Sequence, residues 1–191
     1  MVLSNPLKMA AVACVLALCP PVWGRPPTHK RRAPMTLTLT SSAFRNGQPL
    51  PERNSCEGED LSPPLSWTGT PAGTKAWALI MEDPDAPAGV WVHWVLYDVS
   101  FATTSLKEGL PKNDVFPDGA MQGMSGGVTR FRDVGYSGPC PPPGKPHHYV
   151  FKLYALDKKL DLAPGAAKEK VLAAMKGHIL AQAELIGLYQ R

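Results

Sequence analysis

Three short stretches of this sequence carry side chains that could do chemistry together. The first, DPDAPAG, begins at Asp83, and the second, VHW, contains His93. The third, HHY, contains His147 and Tyr149. Imidazole and backbone N–H groups with a phenol O–H group suit a small anion such as a phosphate. If the three stretches meet, the sequence predicts an anion pocket.

Strands must position these side chains. The runs 75–83 and 90–99 are dense in apolar, aromatic and β-branched residues, which is typical of central strands that are buried on both faces. The run 147–156 predicts a third strand, and shorter strands are expected at 36–40 and 65–67.

Successive side chains of a strand point to opposite faces of the sheet, and this predicts which residues share a face. Asp83 ends its strand, and His147 and Tyr149 lie two residues apart, on one face. His93 is expected on the face of its strand that also carries Trp91, Val95 and Tyr97. If the strands are neighbours, one carboxylate, two imidazoles and a phenol converge at one sheet edge, where Pro84, Pro87 and the run 141–143 form rigid walls.

Helix is scarce in this sequence. The best candidate begins near Gly165, with Val171 and Met175 four residues apart. A short strand is expected near 184–189, and residues 100–146 predict a long loop region that is rich in Gly, Pro and Ser. The class is therefore predicted to be all-β with a minor helical element.

Other interpretations of these residues remain open. A single His in a strand is usually a satisfied core residue, and DPD is usually a turn. Asp83 and His93 could instead act together as the catalytic base of a hydrolase or lyase. Ser125 in GMSGG resembles a nucleophile loop only superficially, because no GxSxG motif is present. No HxH or HExxH spacing supports a metal site.

The first 24 residues predict a secretory signal peptide. Lys8 precedes the apolar run 9–18, and cleavage is expected after Gly24. The run is too short to span a bilayer. We therefore expect the protein to be periplasmic or secreted.

Residues 25–34, RPPTHKRRAP, are basic and rich in Pro, and they predict a linker. The folded domain is then expected to cover 35–191. Two alternatives are a start at Met35 and lipid modification of Cys14 or Cys19.

The charge of the domain argues against nucleic acid as a partner. Met35 and the residues after it include 15 Lys and Arg against 16 Asp and Glu, so the +4 of the whole chain comes from its first 34 residues. A nearly neutral domain lacks the basic surface that binds phosphate backbones.

Two cysteines, Cys56 and Cys140, remain in the domain. An even pair in an exported chain predicts a disulfide bond. Neither cysteine has a CxxC partner, which excludes a zinc ribbon. Two unpaired thiols are the alternative.

Several motifs together resemble the phosphatidylethanolamine-binding protein family, in its bacterial, Raf-kinase-inhibitor-like branch. They are CEGEDLSPPLSW, PAGTKAWALIMEDPDAP, VHW, GPCPPPGKPHHY and GHILAQAELIGLYQR, which span Leu37 to Arg191 in this order. The resemblance implies a β-sandwich of two antiparallel sheets, with one or two short helices near the C-terminus and one small pocket.

The resemblance also implies a set of pocket residues and a ligand class. The pocket is expected to take phosphate-like and phosphorylethanolamine-like head groups, including that of a membrane lipid, and Ala86–Pro87 is a candidate cis bond. The family's motifs place these residues in the pocket: Asp83, Pro87, Trp91, His93, His147, Tyr149 and a proline of the 139–143 run, taken as Pro142.

The function implied is that of a non-enzymatic binding protein without a cofactor, with a kinase or protease as a partner that it could modulate. The hydrolase or lyase with Asp83 and His93 and a purely structural protein are the alternatives. Two departures limit the resemblance. The chain ends too early for the C-terminal helix of eukaryotic members, and Val92 stands where a second His would precede His93. Export also makes an intracellular kinase target implausible.

Overall fold

The part of the protein that the structure describes contains eleven strands, one α-helix and a short 3-10 helix at Glu52–Asn54. The structure is a computed structural model and describes residues 36–126 and 133–191. The expected signal peptide and linker lie outside these residues. The elements are β1 (Thr38–Thr40), β2 (Gln48–Pro49), β3 (Leu65–Thr68), β4 (Ala76–Asp83), β5 (Trp91–Ser100), β6 (Ser105–Leu106), β7 (Met121–Gln122), β8 (Met124–Ser125), β9 (Asp133–Val134), β10 (His147–Leu156), α1 (Lys168–Met175) and β11 (Ile179–Tyr189).

The long strands form one large sheet. Its order is β2-β11-β10-β4-β5-β7, so β4 lies between β10 and β5. These central pairs are antiparallel, and only the edge strand β2 runs parallel to its neighbour β11. Strand β4 ends at Asp83, and its neighbours β5 and β10 begin beside that end, at Trp91 and His147. The stretches DPDAPAG, VHW and HHY therefore meet at one end of the sheet.

The large sheet is covered on both faces, which explains the continuous apolar runs of β4 and β5. On one face, Trp77, Leu79 and Met81 of β4 pack in a core cluster with Leu39 and Trp67 of the smaller sheet, β1-β3-β6. On the other face, Ala78 and Ile80 of β4 belong to a second cluster with Val171 and Met175 of α1.

The prediction of an all-β sandwich with a minor helix is confirmed. Strands β8 and β9 add a two-stranded sheet within the expected loop region. The C-terminal strand begins at Ile179, earlier than predicted, because its first residues still pair with β10 up to Leu156. Within the described residues, no helix has the length and apolar character needed to cross a membrane.

The prediction that His93 shares a face with Val95 and Tyr97 is wrong, although Trp91 and His93 do line the same cavity. Met81 pairs with Trp94, but Glu82 pairs with Val92, so His93 is an extra residue without a partner on β4. Such a β-bulge shifts the alternation and turns a side chain toward the other face. Val95 and Tyr97 therefore lie in the α1 cluster, whereas the His93 ring contacts Tyr149, which lies in the cluster between the sheets.

Gln122 anchors the segment that lies between β6 and β7. Its buried side chain accepts a hydrogen bond from Trp94 Nε1 at 2.8 Å and donates to the carbonyl oxygens of Pro111 and Asn113, both at 2.9 Å. One polar side chain thus satisfies two carbonyl oxygens of a long connection whose sequence shows no strand pattern.

Candidate functional site

The predicted site residues line one cavity at the end of the large sheet. Its volume is about 520 Å³. The disulfide between Cys56 and Cys140 is present, as predicted, and both cysteines are also part of the cavity wall. The sequence-predicted residues in the wall are Asp83, Pro87, Trp91, His93, Pro142, His147 and Tyr149.

A buried, hydrogen-bonded Asp–His pair joins the end of β4 to the start of β10. His147 Nδ1 donates to Asp83 Oδ2 at 2.8 Å, and the two side chains are 5% and 4% exposed. The other carboxylate oxygen, Oδ1, accepts a hydrogen bond from Asp85 N at 2.8 Å. Asp83 thus pairs with His147, not with His93, and its two bonds fix the ring of His147 with Nε2 as the remaining polar atom.

A second Asp–His pair lies beside the first, at the surface. Asp85 Oδ2 accepts hydrogen bonds from both the backbone N and the Nδ1 atom of His148, at 2.8 and 2.7 Å. These bonds lower the pKa of the Asp85 carboxyl. The two pairs together attach the turn that contains Asp83 and Asp85, called the DPD turn, to β10.

The loop after β9 orients the His93 ring. Its Nδ1 atom lies 2.6 Å from the carbonyl oxygen of Ser137, so the proton on Nδ1 is donated to that oxygen. Burial lowers the pKa of His93, although the bond to Ser137 and the charge of Asp83 oppose that shift. The ring meets Tyr149 edge to face, with centroids 5.1 Å apart. In the neutral ring, Nε2 can only accept, and protonation turns it into a donor.

Tyr149 carries an unsatisfied polar group. Its buried hydroxyl makes no hydrogen bond of normal distance and angle within the described residues. Burial raises its pKa far above the usual range, and the Asp83 carboxylate adds to the shift through its charge and a weak contact with the hydroxyl, so the hydroxyl remains a proton donor. Buried polar groups are almost always satisfied, and an orphaned hydroxyl beside a cavity is an attachment point for a ligand or water.

Sequence reasoning missed part of the cavity wall. Asp60 accepts a hydrogen bond from Gly138 N at 2.6 Å through Oδ1, and Lys112 Nζ lies 2.9 Å from Oδ2. Ser137 and Asp133 also line the cavity. The motif CEGED, which contains Asp60, was a signal for this residue, but Ser137 contributes a backbone carbonyl that no sequence pattern marks.

The expected cis bond is absent. Ala86–Pro87 is trans, as are all peptide bonds in the described ranges. Gly89 N donates to Ala86 O at 3.0 Å, and Gly89 has φ +95°. This is a turn with Pro at its second position, where a trans proline already has the required φ.

Two other candidate chemistries find no support in this geometry. Ser125 Oγ donates to Asp133 O at 3.0 Å, and Ser125 does not line the cavity. Over residues 36–126 and 133–191, no group of three or more His, Cys, Asp or Glu is placed to hold a metal ion.

Comparison with known proteins agrees with the motifs. The sequence model of the family described as "Phosphatidylethanolamine-binding protein" matches residues 40–190. A UPF0098 protein of Methanothermobacter thermautotrophicus is 50% identical over 155 residues, which cover 81% of this chain and 99% of that protein. The chain belongs to the phosphatidylethanolamine-binding protein family, and the resemblance seen in the sequence is confirmed.

Solved structures agree with this assignment. The chain is similar to the homologue CT736 of Chlamydia trachomatis, with a TM-score of 0.73 and 41% identity over 82% of this chain and 99% of that one. It is also similar to Escherichia coli YbcL, with a TM-score of 0.74 and 33% identity over 81% and 98% of the two chains. Proteins of this family are generally binding proteins without enzymatic activity.

Proposed function

We propose that this protein is a non-enzymatic binding protein whose cavity takes a small anionic or phosphorylated head group. The observation that carries the proposal is the pair formed by the orphaned Tyr149 hydroxyl and the adjoining His93 ring, beside one cavity of about 520 Å³. The Tyr149 hydroxyl and the Nε2 atom of His93 make no hydrogen bond within the described residues. An anion oxygen can accept a hydrogen bond from both a phenol and a protonated imidazole.

The charges of the cavity make this binding depend on pH. Asp60 and Asp83 already accept hydrogen bonds from Lys112 and His147, which reduce the negative charge that these carboxylates present to a ligand. His93 is the group that adds a positive charge, and burial lowers its pKa below the usual 6.5 in the empty cavity. A bound anion favours the charged ring, and we therefore expect affinity to rise as the pH falls through the pKa of His93.

Catalysis by Asp83 with His93 is the weaker alternative. The Asp83 carboxylate is engaged by His147 and by Asp85 N, and the Nδ1 atom of His93 is engaged by Ser137 O. A carboxylate that orients a catalytic His does so through a direct hydrogen bond to its ring, and Asp83 makes no such bond with His93. A hydrolase screen in which activity disappears with Asp83→Asn would restore this alternative.

Export from the cytoplasm is part of the proposal. The Cys56–Cys140 disulfide lies at the surface, with both cysteines exposed. Surface disulfides persist in oxidising compartments, which supports the expected periplasmic or secreted location. A head group presented by a membrane lipid or carried by a protein partner such as a kinase or protease would have the same chemistry as the free ligand.

The test is an NMR titration with sulfate and with phosphorylethanolamine at pH 5.5 and 7.5. Sulfate keeps its charge over this range, so any change in its affinity reports on the protein. We expect saturable shifts of the His93 and His147 ring signals, with tighter sulfate binding at pH 5.5. His93→Gln should weaken binding by about tenfold or more, because a charge-assisted hydrogen bond is lost.

His148→Gln is the matched control, because its ring pairs with Asp85 outside the cavity wall. Its affinity should stay within about twofold of the wild type, since exposed pairs contribute little. Absence of saturable binding of either ligand at pH 5.5 would refute the proposal.

A further inference from the structure

The segment Cys140–Pro143 forms part of the rim of the cavity, and few bonds hold it in place. The segment Cys140–Pro143 reads Cys-Pro-Pro-Pro, and proline has no N–H group to donate. In the described structure, the backbone bonds on either side of this segment are Cys56 N to Pro139 O at 3.1 Å and Gly144 N to Arg191 O at 3.2 Å. Between them, the disulfide and the Arg191 side chain supply the bonds that fasten the rim, and Pro141 is in addition buried by packing.

The two sulfur atoms of the disulfide have different surroundings. Arg191 NH1 lies 3.7 Å from Cys140 Sγ and 3.4 Å from Pro141 O. Within the described structure, Arg191 makes this contact with Cys140 Sγ and makes none with Cys56 Sγ. A neighbouring guanidinium stabilises a thiolate. Cys140 is therefore the better leaving group.

We propose that the Cys56–Cys140 bond is a thiol–disulfide exchange site that controls the rim of the cavity, with Cys56 as the sulfur that is attacked. Both cysteines are exposed, so a thiol can reach them. Its substrate class is a dithiol reductant. The link to ligand affinity rests on the proposed function, whereas the exchange chemistry does not.

The reaction proceeds in two balanced steps. A thiolate of the reductant attacks Cys56 Sγ, the S–S bond breaks, and its electron pair leaves with Cys140 as a thiolate beside Arg191. The second thiolate of the reductant then attacks the reductant sulfur of the mixed disulfide and releases Cys56. The reductant ends as its own disulfide, and the protein gains two electrons and the two protons of the dithiol.

Adduct mapping tests the exchange chemistry without any ligand. The full chain is treated briefly with 2-mercaptoethanol, quenched with acid, alkylated and mapped by peptide mass spectrometry. We expect a several-fold excess of the mercaptoethanol adduct on Cys56 and of the alkylated thiol on Cys140. Arg191→Gln should remove this excess, and Lys145→Gln, which removes a charge from the same loop, should keep it. Equal adducts in the wild type, or an unchanged ratio in Arg191→Gln, would overturn the proposal.

The link to the cavity is tested with inorganic phosphate at pH 5.5. The affinity of the reduced wild type and of Cys56→Ser/Cys140→Ser should be about threefold to tenfold weaker than that of the oxidised protein, because a loosened rim must be ordered on binding. Circular dichroism verifies that both forms are folded. Equal affinities in folded forms overturn the link alone. Absence of phosphate binding by the oxidised protein overturns the link and the proposed function together, whereas the adduct map still decides the exchange chemistry.

Discussion

At the scale of single residues, two buried tyrosines illustrate the difference between a structural and a binding hydroxyl. Tyr136 OH donates to Asn54 O at 2.6 Å, whereas Tyr149 OH has no partner among the described residues. A hydrogen bond stabilises a fold by about 1 kcal/mol, and an unsatisfied buried group costs about 1–3 kcal/mol. The same change at the two positions should therefore have opposite effects.

We expect Tyr136→Phe to lower the unfolding free energy by about 1–2 kcal/mol, and Tyr149→Phe to leave it unchanged or raise it by about 1 kcal/mol. Urea denaturation of the ligand-free protein measures both values. Tyr149→Phe should also weaken sulfate binding. Comparable destabilisation by the two variants would mean that Tyr149 already has a partner in the empty protein.

His93 should make the ligand-free protein less stable in mild acid. Because its folded-state pKa is below the ordinary 6.5, the unfolded chain takes up a proton there that the folded ring resists. The unfolding free energy should therefore fall as the pH drops from 7 to 5. His93→Gln should flatten the profile in this window, whereas His148→Gln should not. Identical slopes for the wild type and His93→Gln would contradict this expectation.

At the scale of elements, the DPD turn is attached to β10 by one buried and one exposed Asp–His pair. Asp83→Ala leaves the buried Nδ1–H group of His147 without its acceptor and should cost about 1–3 kcal/mol. Asp85→Ala breaks a pair whose side chains are 31% and 55% exposed, and it should cost about 1 kcal/mol or less. Thermal unfolding of both variants at pH 7 measures the difference. Similar losses for the two would show that the turn itself, and not the buried pair, is what stabilises this end of the sheet.

At the scale of the whole molecule, the disulfide spans 84 residues and connects the segment before β3 to the loop before β10. Closing a loop of this length stabilises the folded state by about 4–5 kcal/mol in the chain-entropy model. The double variant Cys56→Ser/Cys140→Ser should lose stability of this order, measured by urea denaturation, with the sheet signal retained in circular dichroism. A loss below about 1 kcal/mol would imply a compact unfolded state in which the crosslink restricts little.

Both faces of the large sheet are buried, so its central strands are continuous apolar runs that can be located in the sequence. The runs that became β4, β5 and β10 were located to within a residue because apolar, β-branched composition is a local property. The helix α1 was recognisable from Val171 and Met175, which both pack on the sheet. The short strands β6 to β9 were missed because two-residue strands have no periodicity to detect.

The sequence by itself determined the all-β class, the positions of β4, β5 and β10, the family and the cysteine pair. These follow from composition, local periodicity and ordered motifs, which need no knowledge of distant contacts. Only the tertiary structure decided the bulge at His93, the pairing of Asp83 with His147 instead of His93, and the carbonyl of Ser137 as the partner of the His93 ring. Each of these depends on strand register or on a backbone atom from a distant loop. Strand register and backbone atoms cannot be recognised from the residue types along the chain.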